Sequence, residues 1–334
     1  MARCVEETMD VLGGSPIVVA DRTTGRVAAP SWRLLRAIRK NYFYYLMALP
    51  GFVYFLIFHY IPMFGIIIAF KDVTPFSSVN DILTGPWVGF AHFEEFFHSY
   101  FFWNVLENTL IISGLKLLVG FPAPIILALL INEVRHVFLK RTVQTISYVP
   151  HFLSMVIVAG LVISLTSPEG GLINQAVVLF GGRPHPFLGD PKYFRWILVA
   201  TSLWQDIGWG SILYLAAMVN IDPQLYEAAM IDGANKWQQI WAVTLPGIRL
   251  VIVILLIFAI GGILNAGFEQ VLLLYSPAVY SVGDIIDTFV YRRGLLEMQY
   301  SFATAVGLFK SVFAMFLLLG ANWIAHRLGE EGIW

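Results

Sequence analysis

Apolar residues gather into six long runs, near 43–70, 105–131, 143–165, 195–220, 247–268 and 302–325, separated by short polar segments. A helix needs about 20 residues to cross the hydrocarbon core of a bilayer. The pattern therefore predicts an all-α membrane protein with about six transmembrane helices. Prolines punctuate two of the runs: Pro50 and Pro62 are expected to tilt or break the first, Pro122 and Pro124 the second. Membranes tolerate such breaks where neighbouring helices satisfy the freed carbonyls, so a bundle with an internal cavity is expected. Residues 1–40 differ: they are polar, rich in Gly, Thr, Ser and Pro, and carry seven basic side chains without a small-residue cleavage site. They read as a cytosolic tail, disordered up to about Pro30, rather than a cleaved signal peptide. The membrane domain then covers 41–330. No internal repeat is evident.

Composition agrees with the pattern. Hydrophobic residues make up 58% of 334 and charged residues 13%, with a mean hydropathy of +0.72, whereas soluble domains carry about 25% charge. A net charge of -1 argues against nucleic acid as a partner. Cys4 is the only cysteine, which excludes a disulfide framework and a cysteine-rich metal site. Lys and Arg set the orientation. With the N-terminus inside, thirteen of them face the cytosol and six the outside, and Arg33, Arg36, Arg39 and Lys40 stand directly before the first run. Both termini are therefore expected in the cytosol. The outer segments hold Trp87, Phe90, Phe93, Phe96 and Phe97, which suits a surface that docks something at the membrane edge.

One polar interruption stands out, residues 222–246 between the fourth and fifth runs. Asp222 is a good N-cap and Pro223 fits the first helical position. Gly233 falls where a left-handed terminator is wanted. Asn235 can cap a second helix with Trp237, Ile240 and Trp241 on one apolar face, and Pro246 is expected to open the fifth span. Ala228 and Ala229 let the first helix lie close in another protein's groove, and Glu227 offers a charge there. A structured knob on one face of the bilayer is suited to receive a push from a partner; the alternative is an ordinary loop helix.

The spacing Glu227-Ala228-Ala229, three residues, Gly233, nine residues, Val243, one residue, Leu245-Pro246 resembles the EAA loop of permease subunits of binding-protein-dependent ABC importers. Val243 departs from that pattern, which usually has Ile. The resemblance covers roughly 40–330 and implies a type I importer permease fold. It further implies that Glu227, Ala228, Ala229, Asp232, Gly233, Leu245 and Pro246 form the coupling element that docks into a separate ATPase subunit. The run from Asp284 to Gly294, followed by Tyr300 to Lys310, is similar to the carbohydrate branch, and within it to permeases for aldouronate or alginate oligosaccharides. Such permeases work as heterodimers with a sister permease, two ATPases that bind ATP and Mg²⁺, and an extracytoplasmic solute-binding protein. The chain itself would then hold no cofactor.

Polar groups inside the runs mark the candidate cargo path, because a charge at mid-membrane costs about 2.5–3.5 kcal/mol on insertion scales. They are Lys116, Asp206, Glu269 and Lys310, with Asn108, Gln205, Asn265 and Gln270 as uncharged companions. Trp204, Gln205, Asp206 and Trp209 form a mixture of aromatic and polar groups of the kind that binds sugars. Alternatively, the two indoles anchor the helix at the interface while Asp206 pairs with a buried Lys. Lys116 is expected to find a carboxylate or a water-filled cavity, and Lys310 to pair with an acid or snorkel. Both lysines would favour an anionic cargo. Glu269 is either part of the path or simply solvated.

No P-loop motif occurs, so ATP belongs to a partner. The seven histidines are scattered without metal-ligand spacing. A membrane-embedded glycan-processing enzyme is the competing reading; it would need its acids concentrated at one boundary, and here they are spread.

Overall fold

The computed structural model describes residues 39–327 and Gly329; most of the N-terminal tail lies outside them. The described chain divides after Met63 into two units.

The first unit is helical. Helix α1 (Tyr42–Phe55) continues through a π-turn (Leu56–Tyr60) and a last helical turn (Ile61–Met63), and residues 42–63 are exposed throughout. Neither proline breaks it. Pro62 lacks an N–H, and the π-turn ending two residues earlier shifts the hydrogen-bond register to absorb the loss. The run Tyr42–Phe70 is long and apolar enough to span a bilayer.

In the second unit, α2 (Phe102–Gly120) and α3 (Pro122–Glu133) also form one spanning run. The break at Phe121 is slight, because its N–H still reaches the Leu117 carbonyl at 3.0 Å. The third expected span is different. Residues 143–165 fall in two helices, α4 (Val137–Tyr148) and α5 (Met155–Thr166), joined by a 3₁₀ turn (Val149–Phe152) and bent by 100°. Ser154 caps the restart by accepting from the Ile157 N–H. Twelve residues of helix reach only about 18 Å, so neither half crosses alone.

The fourth run is α6 (Pro191–Val219), 29 residues long and the helix with the most interior positions. It falls short of the apolarity of a lone span, and several of its polar residues, Thr201, Gln205 and Ser211, are buried against protein. Its first turn is capped by Asp190. The Lys192 backbone N–H, with His185 at 2.7 Å, holds that carboxyl below the usual carboxylate range. Next come α7 (Pro223–Ile231), α8 (Lys236–Gln239) and α9 (Arg249–Gly261). The segment Lys236–Gly247 meets α9 at a 64° bend. The fifth run is therefore a bent pair rather than one straight helix opened by Pro246, and its helix ends at Gly261 rather than 268. Non-helical backbone follows, until Gly267 at φ +89° turns the chain into α10 (Phe268–Leu274). Two final helices are α11 (Ile286–Tyr291) and α12 (Tyr300–Arg327), the latter a full span.

Three single helices and two bent pairs thus have the length and composition to cross a membrane among the described residues. Lipid tails are as apolar as Leu, so close packing rather than water exclusion holds such helices together. Gly208 on α6 is one instance: a Cβ there would collide with the Ser147 carbonyl of α4. A second is the aromatic cluster of Phe96, Phe102, Phe289 and Phe302, with edge-on rings of Phe96 and Phe102 at 5.0 Å.

Candidate functional site

Two regions carry the functional candidates. The first is the hairpin of α7 and α8. Asp222 Oδ1 accepts from the Gln224 N–H at 2.9 Å and Pro223 opens α7. The C-terminus closes with Gly233 at φ +79°, where the Ala234 N–H reaches the Ala229 carbonyl at 2.9 Å and the Gly233 N–H that of Met230 at 3.1 Å. This paired pattern satisfies two otherwise orphaned carbonyls. Asn235 then forms a full capping box with Gln238, at 3.0 and 2.7 Å.

One side-chain bond ties α7 to the end of the π-turn that follows α8: the Tyr226 hydroxyl meets Thr244 Oγ1 at 2.9 Å. A half-exposed ion pair, Lys236 to Glu133 at 3.1 Å, ties the hairpin to the end of α3. Glu227, Ala228 and Asp232 are exposed and Ala229 is half-buried. Leu245 and Pro246 lie in the last turn before the bend, preceded by a second π-turn (Ile240–Thr244) that again ends two residues before a proline. Ile231 is 87% exposed, Trp237 72% and Trp241 70%. These large apolar side chains stand bare on a well-built knob.

The second region is a cavity of about 280 Å³ between α2, α6 and the break after α9, lined among others by Ser113, Lys116, Ser202, Asp206, Gly262 and Asn265. Non-helical backbone at membrane depth must be satisfied by protein or by a water-filled cavity, and Lys116 does part of this. Its Nζ donates to the freed Ala266 carbonyl at 2.8 Å and to Gln270 Oε1 at 2.6 Å. Gln270 in turn donates to the Leu198 carbonyl of α6 at 3.0 Å. Lys116 thus finds a carbonyl, an amide and a cavity rather than a carboxylate partner.

Asp206 faces the same cavity but pairs with His151 at 3.0 Å, not with a buried lysine. The expected sugar-binding quartet on α6 does not assemble. Gln205 is buried and donates to the Leu153 carbonyl at 3.0 Å, and Trp209 stacks on His151 with ring centres 4.6 Å apart. Both hold the 100° bend between α4 and α5. Trp204 lines a separate apolar cavity of about 390 Å³ beside α5. Five residues apart on a helix, the two indoles point about 140° away from each other.

Asn265 lines the polar cavity and accepts from Lys310 at 2.9 Å. Lys310 is also paired with both oxygens of Asp287, at 2.6 and 2.7 Å. Glu269 is exposed in the first turn of α10 and lines none of these cavities. Three residues escaped the sequence reading: Ser113, His151 and Asp287. Ser113 is 5% exposed, and its buried hydroxyl has no hydrogen-bond partner among the described residues. Its place three residues before Lys116, on the same helix face, was the available signal. Asp287 had none. Among the described residues no group of three or more His, Cys, Asp or Glu is placed to hold a metal ion.

Comparison with known proteins gives a consistent set of matches. Residues 120–330 match the family described as binding-protein-dependent transport system inner membrane component. The chain is 46% identical to protein LplB of Bacillus subtilis (strain 168), over 91% of this chain and 94% of that one. It is 48% identical to the polygalacturonan/rhamnogalacturonan transport system permease protein YteP of the same organism, over 90% and 92%. A crystal structure of a bacterial ABC transporter involved in the import of the acidic polysaccharide alginate aligns with a TM-score of 0.82 at 44% identity, covering 88% of this chain and 99% of the other. A bacterial alginate ABC transporter in complex with an alginate pentasaccharide-bound periplasmic protein aligns at 0.83 and 43%, covering 90% and 100%.

Proposed function

Because the chain belongs to the inner-membrane components of binding-protein-dependent transport systems, we propose that it carries an oligosaccharide of the polysaccharide-fragment class across the cytoplasmic membrane. Membership makes it a transport subunit without catalysis of its own and sets aside the glycan-processing enzyme. Its motion is driven from outside the chain. Two ATPase subunits bind ATP and Mg²⁺, receive α7 in a groove and transmit their closure through the hairpin. Glu227, Ala228, Ala229, Asp232 and Gly233 form the docking element, and Leu245 and Pro246 its junction with the fifth span. A sister permease completes the pathway, an extracytoplasmic binding protein delivers the cargo, and both termini lie in the cytosol. The printed descriptions of the polygalacturonan/rhamnogalacturonan permease and the alginate transporters support the cargo class, and the latter's periplasmic protein supports a delivery partner.

In the cavity, Ser113, Asp206 and Asn265 are suited to sugar hydroxyls. Lys116 keeps one N–H after serving Ala266 and Gln270, and this is the cationic contact within reach of a cargo carboxylate. Lys310 is neutralised by Asp287 and contributes little to charge preference.

The observation that carries the reading is the exposed, doubly capped hairpin whose residues match the coupling pattern. Its test is reconstitution of the full complex in proteoliposomes with the binding protein and alginate pentasaccharide, comparing wild type with Glu227→Lys. Saccharide-stimulated ATP hydrolysis and uptake are expected to fall together by about tenfold or more, as for the loss of a desolvated charge contact. Unchanged coupled transport would refute the docking role.

A further inference from the structure

We propose that a second, larger cavity beside the broken fifth span is a further saccharide subsite, in which a sugar ring lies against Phe268, Tyr291 and Tyr300 while Asp287 accepts its hydroxyls. The inference rests on the oligosaccharide reading above and extends it to residues outside the cavity already described.

The cavity measures about 750 Å³ and is walled chiefly by α11, α12 and the start of α10. Three aromatic side chains, one carboxylate and Thr304 stand out from its otherwise apolar wall. The rings of Phe268 and Tyr291 lie 5.8 Å apart. Flat apolar faces with a few convergent polar groups are what a pyranose needs, since its C–H face stacks on rings and its rim makes hydrogen bonds. Among the described residues the Tyr300 backbone carbonyl accepts from Thr304, and neither the Tyr291 nor the Tyr300 hydroxyl makes a hydrogen bond.

A surface made only for lipid has no use for a carboxylate, which is costly at membrane depth. Asp287 is 23% exposed and lines this cavity. Lys310 fills one lone pair on each of its oxygens. A carboxylate accepts about four hydrogen bonds, so capacity remains for the rim of a sugar.

The two cavities are linked. Lys310 holds Asp287 in the larger one and donates to Asn265, which lines the smaller. Lys310 thus stands as one side chain bridging a residue of each cavity, Asp287 and Asn265. Size points the same way. At about 280 Å³ the smaller cavity is at the low end of ligand sites, which run about 300–1,000 Å³. An oligomer therefore needs more room than it offers.

The test uses the assembled complex with its sister permease, ATPases and binding protein, and compares wild type with Tyr291→Ala combined with Tyr300→Ala, and with the milder Tyr291→Phe. Uptake of alginate pentasaccharide and of the corresponding disaccharide is measured across concentrations, with the sister permease quantified in each preparation. The double variant is expected to raise KM for the pentasaccharide about tenfold and to leave the disaccharide nearly unchanged, with Tyr291→Phe close to wild type. Equal KM values for both saccharides in variant and wild type would overturn the subsite. So would an equal loss of both with departure of the sister permease, which would make the cavity a packing face between subunits. A wild-type complex that moves neither saccharide removes the oligosaccharide reading, and the subsite with it.

Discussion

The α7–α8 hairpin and the polar cavity are built by opposite means. Bonds within the hairpin join near neighbours: Asp222 to Gln224 is two residues, Asn235 to Gln238 three, Gln239 to Ala234 five, and Tyr226 to Thr244 eighteen. The half-exposed pair of Lys236 with Glu133 is its one longer tie among the described residues. Cavity bonds reach across the chain: Lys116 to Ala266 spans 150 residues, Lys116 to Gln270 154, Gln270 to Leu198 72 and Asp206 to His151 55. A unit closed by local bonds keeps its shape while its surroundings move, as a part that receives force must. A cavity held by ties between separate elements changes whenever those elements shift. One region is suited to transmit motion and the other to respond to it.

That contrast can be broken by cutting the long ties. The largest effect is expected at Lys310, whose side chain is 16% exposed against 23% for Asp287. Lys310→Met would leave a mostly buried carboxylate unpaired and cost about 3–5 kcal/mol. Adding Asp287→Leu should return most of the stability, because the pair as a whole costs nearly as much to bury as it gains. Thermal unfolding of the purified complex measures both. A double variant no more stable than the single would mean that the pair does not act as a unit.

A smaller effect is expected at Lys116. Lys116→Met orphans the Ala266 carbonyl at the broken helix, a loss of about 1–3 kcal/mol. Hydrogen exchange should rise at residues 262–270 and α10 while α7 and α8 keep wild-type protection. Raised exchange in the hairpin as well would erase the distinction between the two regions.

The same contrast explains what could be read from the chain. The hairpin was legible in detail because Asp222, Gly233 and Asn235 act on backbone within a few residues. The second and sixth spans were legible as continuous apolar runs. The 100° bend in the third was not, since an averaged hydropathy over 143–165 does not register a restart at Ser154. Trp204 and Trp209 looked like one site because five residues seem close in sequence, yet helical rotation sends Trp204 to an apolar cavity and Trp209 onto His151. The match of Lys310 with Asp287 joins residues 23 apart on two helices, and only the fold brings them together.

Accessibility of the hairpin tests the central claim most directly. Cys4 is the only native cysteine, so Cys4→Ser with Ala228→Cys gives a single reporter on the exposed face of α7. A membrane-impermeant maleimide is applied to oriented vesicles from either side, with and without the ATPase subunits. The account predicts labelling from the cytosolic side alone, abolished when the ATPases are bound. Labelling from the outer side, or labelling indifferent to the ATPases, would contradict it.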